Sequence, residues 1–192
     1  MHRCQQLAPA DWLVRSKTPW PQLATYGPSC FEAYARLRFL PDPEFAGQRE
    51  SNVTIPIDHP TEVELARRAL RYLAPFTETA DECYFCVWDG YGVSEADPAM
   101  GHGPLLAIPE RRYALFTGPL DDIARWERTF TSHPAFAPAF VWPADRRWCF
   151  TSDVDPHWAG IGAERAAVDA LVTASDIDAV HADPARQPTP YA

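Results

Sequence analysis

Residues 83–92 read CYFCVWDGYG, and this stretch decides how the rest of the chain can be arranged. Its first six residues, Cys83 to Trp88, are apolar or aromatic, and a glycine-containing turn follows them. A short apolar run that ends at such a turn is typical of a strand buried on both faces. We therefore predict a central strand at 83–88.

The two cysteines of this stretch, Cys83 and Cys86, have the CxxC spacing of zinc sites and of thioredoxin-like redox pairs. A structural zinc site needs four ligands, but no second CxxC pair is present and Cys149 stands alone. A redox pair needs its first cysteine at a helix N-terminus, whereas these two lie in a strand and point to opposite faces. We predict inert structural thiols, no metal and no cofactor. Zinc or redox chemistry would require Cys149 or a histidine beside one of them.

Composition excludes several functional classes. Seven Trp, seven Tyr and ten Phe are enough for the core of one domain, and the net charge of −9 argues against binding to nucleic acid. No apolar run of 18 residues indicates a membrane span, and the N-terminus lacks the apolar segment of a signal peptide. Five irregularly spaced cysteines do not form a disulfide framework. These features predict a cytoplasmic protein with reduced thiols, whose partner, if it has one, is basic.

Hydrophobic periodicity, together with the positions of capping residues, glycine and proline, predicts the remaining helices, strands and loops. The alternating segment FEAYARLRF, residues 31–39, is a strand, and the capping box Thr61-x-x-Glu64 begins a helix that Pro75 ends. The other predicted strands are 105–108, 112–117, 140–142, 147–155 and 176–181. The other predicted helices are 9–16, 120–128 and 163–173, and the main loops or turns are 18–29, 40–60 and 160–162.

These elements predict an α+β fold with a mostly antiparallel sheet and helices packed on one face. Strands and helices are interspersed without a regular βαβ repeat, and the neighbouring strands at 105–117 favour antiparallel pairing. We predict an N-terminal extension at 1–30 and a single domain at 31–182, with a proline-rich loop at 40–60. Residues 183–192 are predicted to be a disordered tail.

Trp88, Asp89 and Tyr91 lie where the predicted central strand ends. Two aromatic rings beside a carboxylate can form a binding patch on a partner-facing surface. Aspartate before glycine is also ordinary turn chemistry, so a simple turn remains the alternative.

A second candidate segment is SDVDPHW, residues 152–158. On a strand, Asp153 and Asp155 share one face, and His157 follows on the same side, next to Trp158. Two carboxylates and an imidazole can bind a divalent cation or support acid–base chemistry. The alternative is that they form the solvated end of an edge strand. No phosphate-binding, dinucleotide-binding, zinc-protease or serine-hydrolase motif accompanies them.

Four segments together resemble a family of uncharacterised actinobacterial proteins: FEAYARL, CYFCVWDGYG, RRYALFTGPLDDI and FVWPADRRWCFTSDVDPHWAGIG. That family brings no established activity. The order of a helix, a WxGxG-like strand end, further strands and an Asp-containing strand before a C-terminal helix is similar to the SUKH superfamily. Members of that superfamily are α+β proteins, many of which are immunity proteins against bacterial toxins.

We therefore expect a non-enzymatic protein-binding module, an immunity-type protein that neutralises a basic partner such as a toxin. Its expected contact surface consists of Trp88, Asp89, Tyr91, Asp153, Asp155, His157 and Trp158. The alternative is a small metal-assisted enzyme that uses Asp153, Asp155 and His157. That enzyme would require the three side chains to converge on one cation.

Overall fold

The computed structural model describes residues 1–91, 102–130 and 136–192. Nine strands occur in these residues: β1 His2–Arg3, β2 Ala33–Arg38, β3 Cys83–Trp88, β4 Leu105–Ile108, β5 Arg111–Gly118, β6 Phe140–Pro143, β7 Trp148–Thr151, β8 Trp158–Ala163 and β9 Ala179–Ala182. The α-helices of the same residues are α1 Asp11–Val14, α2 Trp20–Tyr26, α3 Glu62–Leu73, α4 Trp126–Thr129 and α5 Arg165–Val172. Short 3-10 helices are Ala8–Ala10, Glu50–Asn52, Ala74–Phe76, Asp89–Tyr91 and Leu120–Arg125. None of the described helices has the length and apolar character needed to cross a membrane.

All nine strands belong to one sheet, in which every pairing is antiparallel. The order is β1-β5-β3-β6-β7-β8-β2-β9, and β4 pairs with the first half of β5. β3 lies between β5 and β6, as predicted for the apolar run at 83–88. The α+β class and the antiparallel sheet are therefore confirmed.

Side chains of β3 alternate between two hydrophobic cores, one on each face of the sheet. Cys83, Phe85 and Val87 point into the first core, which α3, α4 and α5 cover. Tyr84 and Cys86 point into the second core, on the opposite face. The predicted helix α3 begins as expected, since the hydroxyl of Thr61 accepts a hydrogen bond from the Glu64 amide at 3.2 Å.

The N-terminal segment covers the second face and is part of the domain rather than an extension of it. β1 pairs with β5, and Leu13 and Leu23 are buried in the second core. Helices therefore lie on both faces of the sheet, not on one face as predicted.

The prediction of a loop at 18–29 was wrong for the middle of this segment, which forms α2. Pro21 lies in the first turn of α2, where a missing amide hydrogen costs nothing, and Gly27 ends the helix with φ of 78°.

Gly160 lies in the middle of β8, where the sequence predicted a turn at 160–162. A Cβ atom on Gly160 would collide with the Thr25 carbonyl oxygen and lie 2.8 Å from the Cα atom of Tyr26. The end of α2 therefore packs on the bare backbone of β8, which only glycine permits. The predicted strand at 147–155 is correspondingly shorter, since β7 ends at Thr151.

The loop at 40–60 is largely irregular, as predicted, and the C-terminal tail lies against it. The Tyr191 hydroxyl donates to the Pro41 carbonyl at 2.5 Å, and the Ala192 amide donates to the Gln48 carbonyl at 2.9 Å. The end of the loop is held by His59, whose Nε2 lies 2.7 Å from the Phe39 carbonyl oxygen. The tail predicted to be disordered thus makes specific contacts in the structure.

Gly160→Ala should destabilise the protein by about 3 kcal/mol, because the added methyl group forces α2 away from β8. Gly47→Ala is the matched control: its φ is 85°, but a Cβ atom there meets nothing within 4 Å. That change should lower the free energy of unfolding by only about 1 kcal/mol, because alanine is strained in a left-handed conformation. Urea denaturation measures both, and equal losses in the two variants would contradict the packing of α2 on β8.

Candidate functional site

Arg111 is the centre of a cluster that joins three distant parts of the chain. It is the first residue of β5, and its guanidinium carbon lies 5.1 Å from the ring centroid of Trp88 and 5.8 Å from that of Trp20. Trp88 ends β3 and Trp20 begins α2. Cation–π attraction at these distances stabilises the contact of the guanidinium with each ring.

Asp153 fixes the orientation of this guanidinium. Arg111 Nε lies 3.1 Å from Asp153 Oδ1, and Arg111 Nη2 lies 3.2 Å from Asp153 Oδ2. The carboxylate is only 11% exposed, and this two-pronged pairing raises the pKa of Arg111. We call Trp20, Trp88, Arg111 and Asp153 the arginine–tryptophan cluster.

Exposed side chains surround the arginine–tryptophan cluster. Asp155 is 86% exposed and lies 3.8 Å from Arg111, while Trp20 and Val154 are 36% and 39% exposed. Arg112, the next residue of β5, pairs with Asp89 at an N–O distance of 2.7 Å. Adjacent residues of a strand point to opposite faces, so the Arg112–Asp89 pair lies across β5 from Arg111. The exposed side chains beside the cluster are therefore those of Trp20, Val154 and Asp155.

Of the residues predicted for the contact surface, Trp88 and Asp153 belong to the arginine–tryptophan cluster, and Asp155 lies beside it. Asp89 instead pairs with Arg112, which lies on the opposite face of β5 from Arg111. Tyr91 ends the 3-10 helix Asp89–Tyr91, but its side chain lies outside the described part of the structure, as does residue 92. The sequence did not reveal Trp20, because nothing local links it to Arg111, 91 positions later in the chain.

Trp158 was wrongly predicted as a contact residue. It is 3% exposed, because its ring lies beneath α2, 4.7 Å from the ring of Tyr26. The Arg36 guanidinium lies over the same indole at 5.5 Å. Trp158 therefore belongs to the packing between α2 and the sheet.

His157 points away from the arginine–tryptophan cluster and into a second group of charges. Its Nε2 lies 3.2 Å from Asp42 Oδ1. Arg36 donates to both oxygens of Asp42, at 2.5 and 2.9 Å, and Arg38 donates to Oδ2 at 3.1 Å. We call these four residues the Asp42 cluster. The Arg36 hydrogen bonds, with those from His157 and Arg38, hold the pKa of Asp42 well below its usual range.

The metal-assisted enzyme would require the side chains of Asp153, Asp155 and His157 to converge on one cation. In the structure they do not converge. Asp153 pairs with Arg111, His157 pairs with Asp42, and Asp155 extends into solvent. Within the described residues, no group of three or more His, Cys, Asp or Glu side chains is placed to hold a metal ion.

Cys83 and Cys86 lie on opposite faces of β3, as predicted, and both are fully buried. Burial raises the pKa of Cys83 to about 12 and the pKa of Cys86 well above its usual value. Cys4 and Cys149 share the second core with Cys86, and all of these thiols are free. Thiols that stay protonated in an apolar core are poor nucleophiles and poor metal ligands.

Comparison with known proteins does not assign a family. No protein-family model, no curated protein and no solved structure matches the chain. The resemblances to the actinobacterial family and to the SUKH superfamily therefore remain predictions.

Thiol labelling tests the interpretation of the CxxC spacing. Only Cys30 is exposed, so the native protein should react with one equivalent of an aromatic disulfide reagent at about pH 8, and with five after unfolding. Burial raises the pKa of Cys30 as well, so its labelling rate should still increase above about pH 9. Cys30→Ser should abolish labelling of the native protein. Rapid loss of two thiols, or a disulfide formed under mild oxidation, would contradict this assignment.

The Asp42 cluster should make stability depend on pH in the acid range. A carboxyl group whose pKa is lowered by folding adds stability above its unfolded pKa of about 4, and this stability is lost as the pH falls further. Asp42→Asn should lower the free energy of unfolding by about 1–3 kcal/mol at neutral pH. The difference from the wild type should shrink steadily in urea titrations below about pH 4.

Asp178→Asn is the control for this experiment, since it removes a half-exposed partner of Arg38 at 2.6 Å and leaves Asp42 in place. Its cost should be at most about 1 kcal/mol. Equal pH dependence in the wild type and the Asp42→Asn variant would show that the cluster contributes no such stability.

Proposed function

We propose that this chain is a non-enzymatic, immunity-type protein-binding module that acts in the cytoplasm and neutralises a basic partner protein such as a toxin. The observation that carries the proposal is the arginine–tryptophan cluster with its exposed rim. Tryptophan and arginine are the residues most enriched where alanine substitutions weaken protein–protein binding most. Here two tryptophans and an arginine meet at one place, beside the exposed Val154.

Preorganisation supports the same conclusion. Arg111 is fixed by Asp153 and by two indole rings, so a partner would not have to immobilise this long side chain on binding. Ordering a flexible side chain costs roughly 0.5–1.5 kcal/mol of binding free energy. A contact surface that is already ordered avoids this cost and favours slow dissociation.

Charge supports a basic partner. Asp155 is largely exposed beside the cluster, and the whole chain has a net charge of −9. Such a field accelerates association with a positively charged protein and repels nucleic acid and anionic membranes. The metal-assisted enzyme has no comparable support, because its three candidate residues point to different partners.

The test is binding of purified products of the neighbouring genes, since an immunity protein is expected to be encoded beside its toxin. Trp20→Ala should weaken binding of the partner by about 30-fold or more, as for a central aromatic residue. Asp155→Arg should reduce the association rate by about tenfold at low salt, because it reverses the steering charge. Surface plasmon resonance separates the two rate constants.

Glu78→Arg is the matched control, because Glu78 is equally a surface carboxylate but precedes β3, at the opposite end of that strand from Trp88. It should leave binding unchanged, and thermal denaturation should show that all three variants remain folded. Absence of any partner among the neighbouring gene products, or wild-type binding by both Trp20→Ala and Asp155→Arg, would refute the proposal.

A further inference from the structure

A cavity of about 270 Å³ lies between the turn before β8 and the C-terminal tail. Its walls combine aromatic and proline rings with carboxylates, and they include Glu50, Asp155, His157, Pro188, Pro190 and Tyr191. Cavities that hold cofactors or drug-sized ligands measure about 300–1,000 Å³. This cavity is therefore suited to something smaller, of the size of one amino-acid side chain.

The cavity is built by specific contacts rather than by a loosely placed tail. The Tyr191 ring packs edge-on against the His157 ring at a centroid distance of 4.7 Å. The Tyr191 hydroxyl is tied to the Pro41 carbonyl, and the next residue, Ala192, is tied to Gln48. His157 is held from behind by Asp42. Each wall is therefore fixed to the loop at 40–60 or to the sheet.

The charge left over in this cavity is negative. Asp42 is paired with Arg36 and Arg38. Glu50 is an exposed carboxylate on the lining, and Asp155 is 86% exposed, with Arg111 3.8 Å away and already bound by both oxygens of Asp153. Desolvation and the negative charges of Asp42, Glu50 and Glu44 raise the pKa of Tyr191. An anion would be repelled from such a site, and a cation would be attracted.

We infer that this cavity receives an arginine or lysine side chain of the partner protein. The apolar stem of such a side chain packs on the proline and tyrosine rings, and its charged head reaches the carboxylates of Glu50 and Asp155. The face of Tyr191 adds a cation–π contact. Asp155 borders both this cavity and the arginine–tryptophan cluster, so one continuous surface would present an aromatic anchor and a pocket for a basic residue. The inference rests on the proposed function and specifies how a basic partner is recognised.

The inference can be tested without the partner. The probes are acetyl-Gly-Arg-Gly-amide and the same peptide with citrulline, which keeps the shape of arginine but lacks its charge. At millimolar concentration the arginine peptide should shift the backbone amide NMR signals of residues 155–158 and 187–191. The citrulline peptide should not. Glu50→Gln and Asp155→Asn should each weaken binding of the arginine peptide by about fivefold, and Glu78→Gln should have no effect.

Three results would overturn the inference: no shift with the arginine peptide, equal shifts with both peptides, or binding that is unchanged in Glu50→Gln and Asp155→Asn. These results are distinct from failure of the proposed function. A partner that depends on Trp20 but ignores Glu50 would leave the proposed function standing and remove the pocket. Peptide binding without any partner protein among the neighbouring gene products would support the pocket and refute the proposed function.

Discussion

Contact between the backbone of α2 and the bare backbone of β8 at Gly160 is the interaction on which the second face of the sheet depends. A nine-stranded sheet with large apolar side chains on both sides needs cover on both sides. Among the described residues, helices after β2 cover the first face, and the helices of the N-terminal segment cover the second. Because α2 lies so close to β8, its first residue, Trp20, arrives above Arg111. The candidate site is thus a consequence of how the second core is closed.

The turn between β7 and β8 distributes its side chains between two charged groups. Asp153 completes the arginine–tryptophan cluster, and His157 completes the Asp42 cluster, four residues later. Between them, Asp155 keeps its charge exposed. A segment that resembles a metal-binding sequence therefore acts as a connector that secures two structural ion-pair groups. The exposed carboxylate between them is the group that the proposed partner would contact.

Local patterns in the sequence predicted the parts of the fold that local physics determines. The apolar run at 83–88 and the capping box of α3 report burial and hydrogen bonding within a few residues, and both predictions were confirmed. The predictions of a loop around Pro21 and of a turn at Gly160 were wrong. Proline also occurs in the first turn of helices, and glycine also permits close packing inside a strand. The meeting of Trp20 with Arg111 has no local signature at all. It depends on the whole sheet being assembled, so no reading of either segment alone could have found it.

The central position of β3 has a further consequence for the order of assembly. Both of its neighbours, β5 and β6, follow it in the chain, and the partners of β2 come more than 100 residues after it. During synthesis the apolar run of β3 therefore leaves the ribosome before any strand that can pair with it. Such non-local topologies fold slowly, since loop closure must precede the contacts that reward it. The nascent chain must keep this segment from aggregating until β5 and β6, which ends at Pro143, have been made.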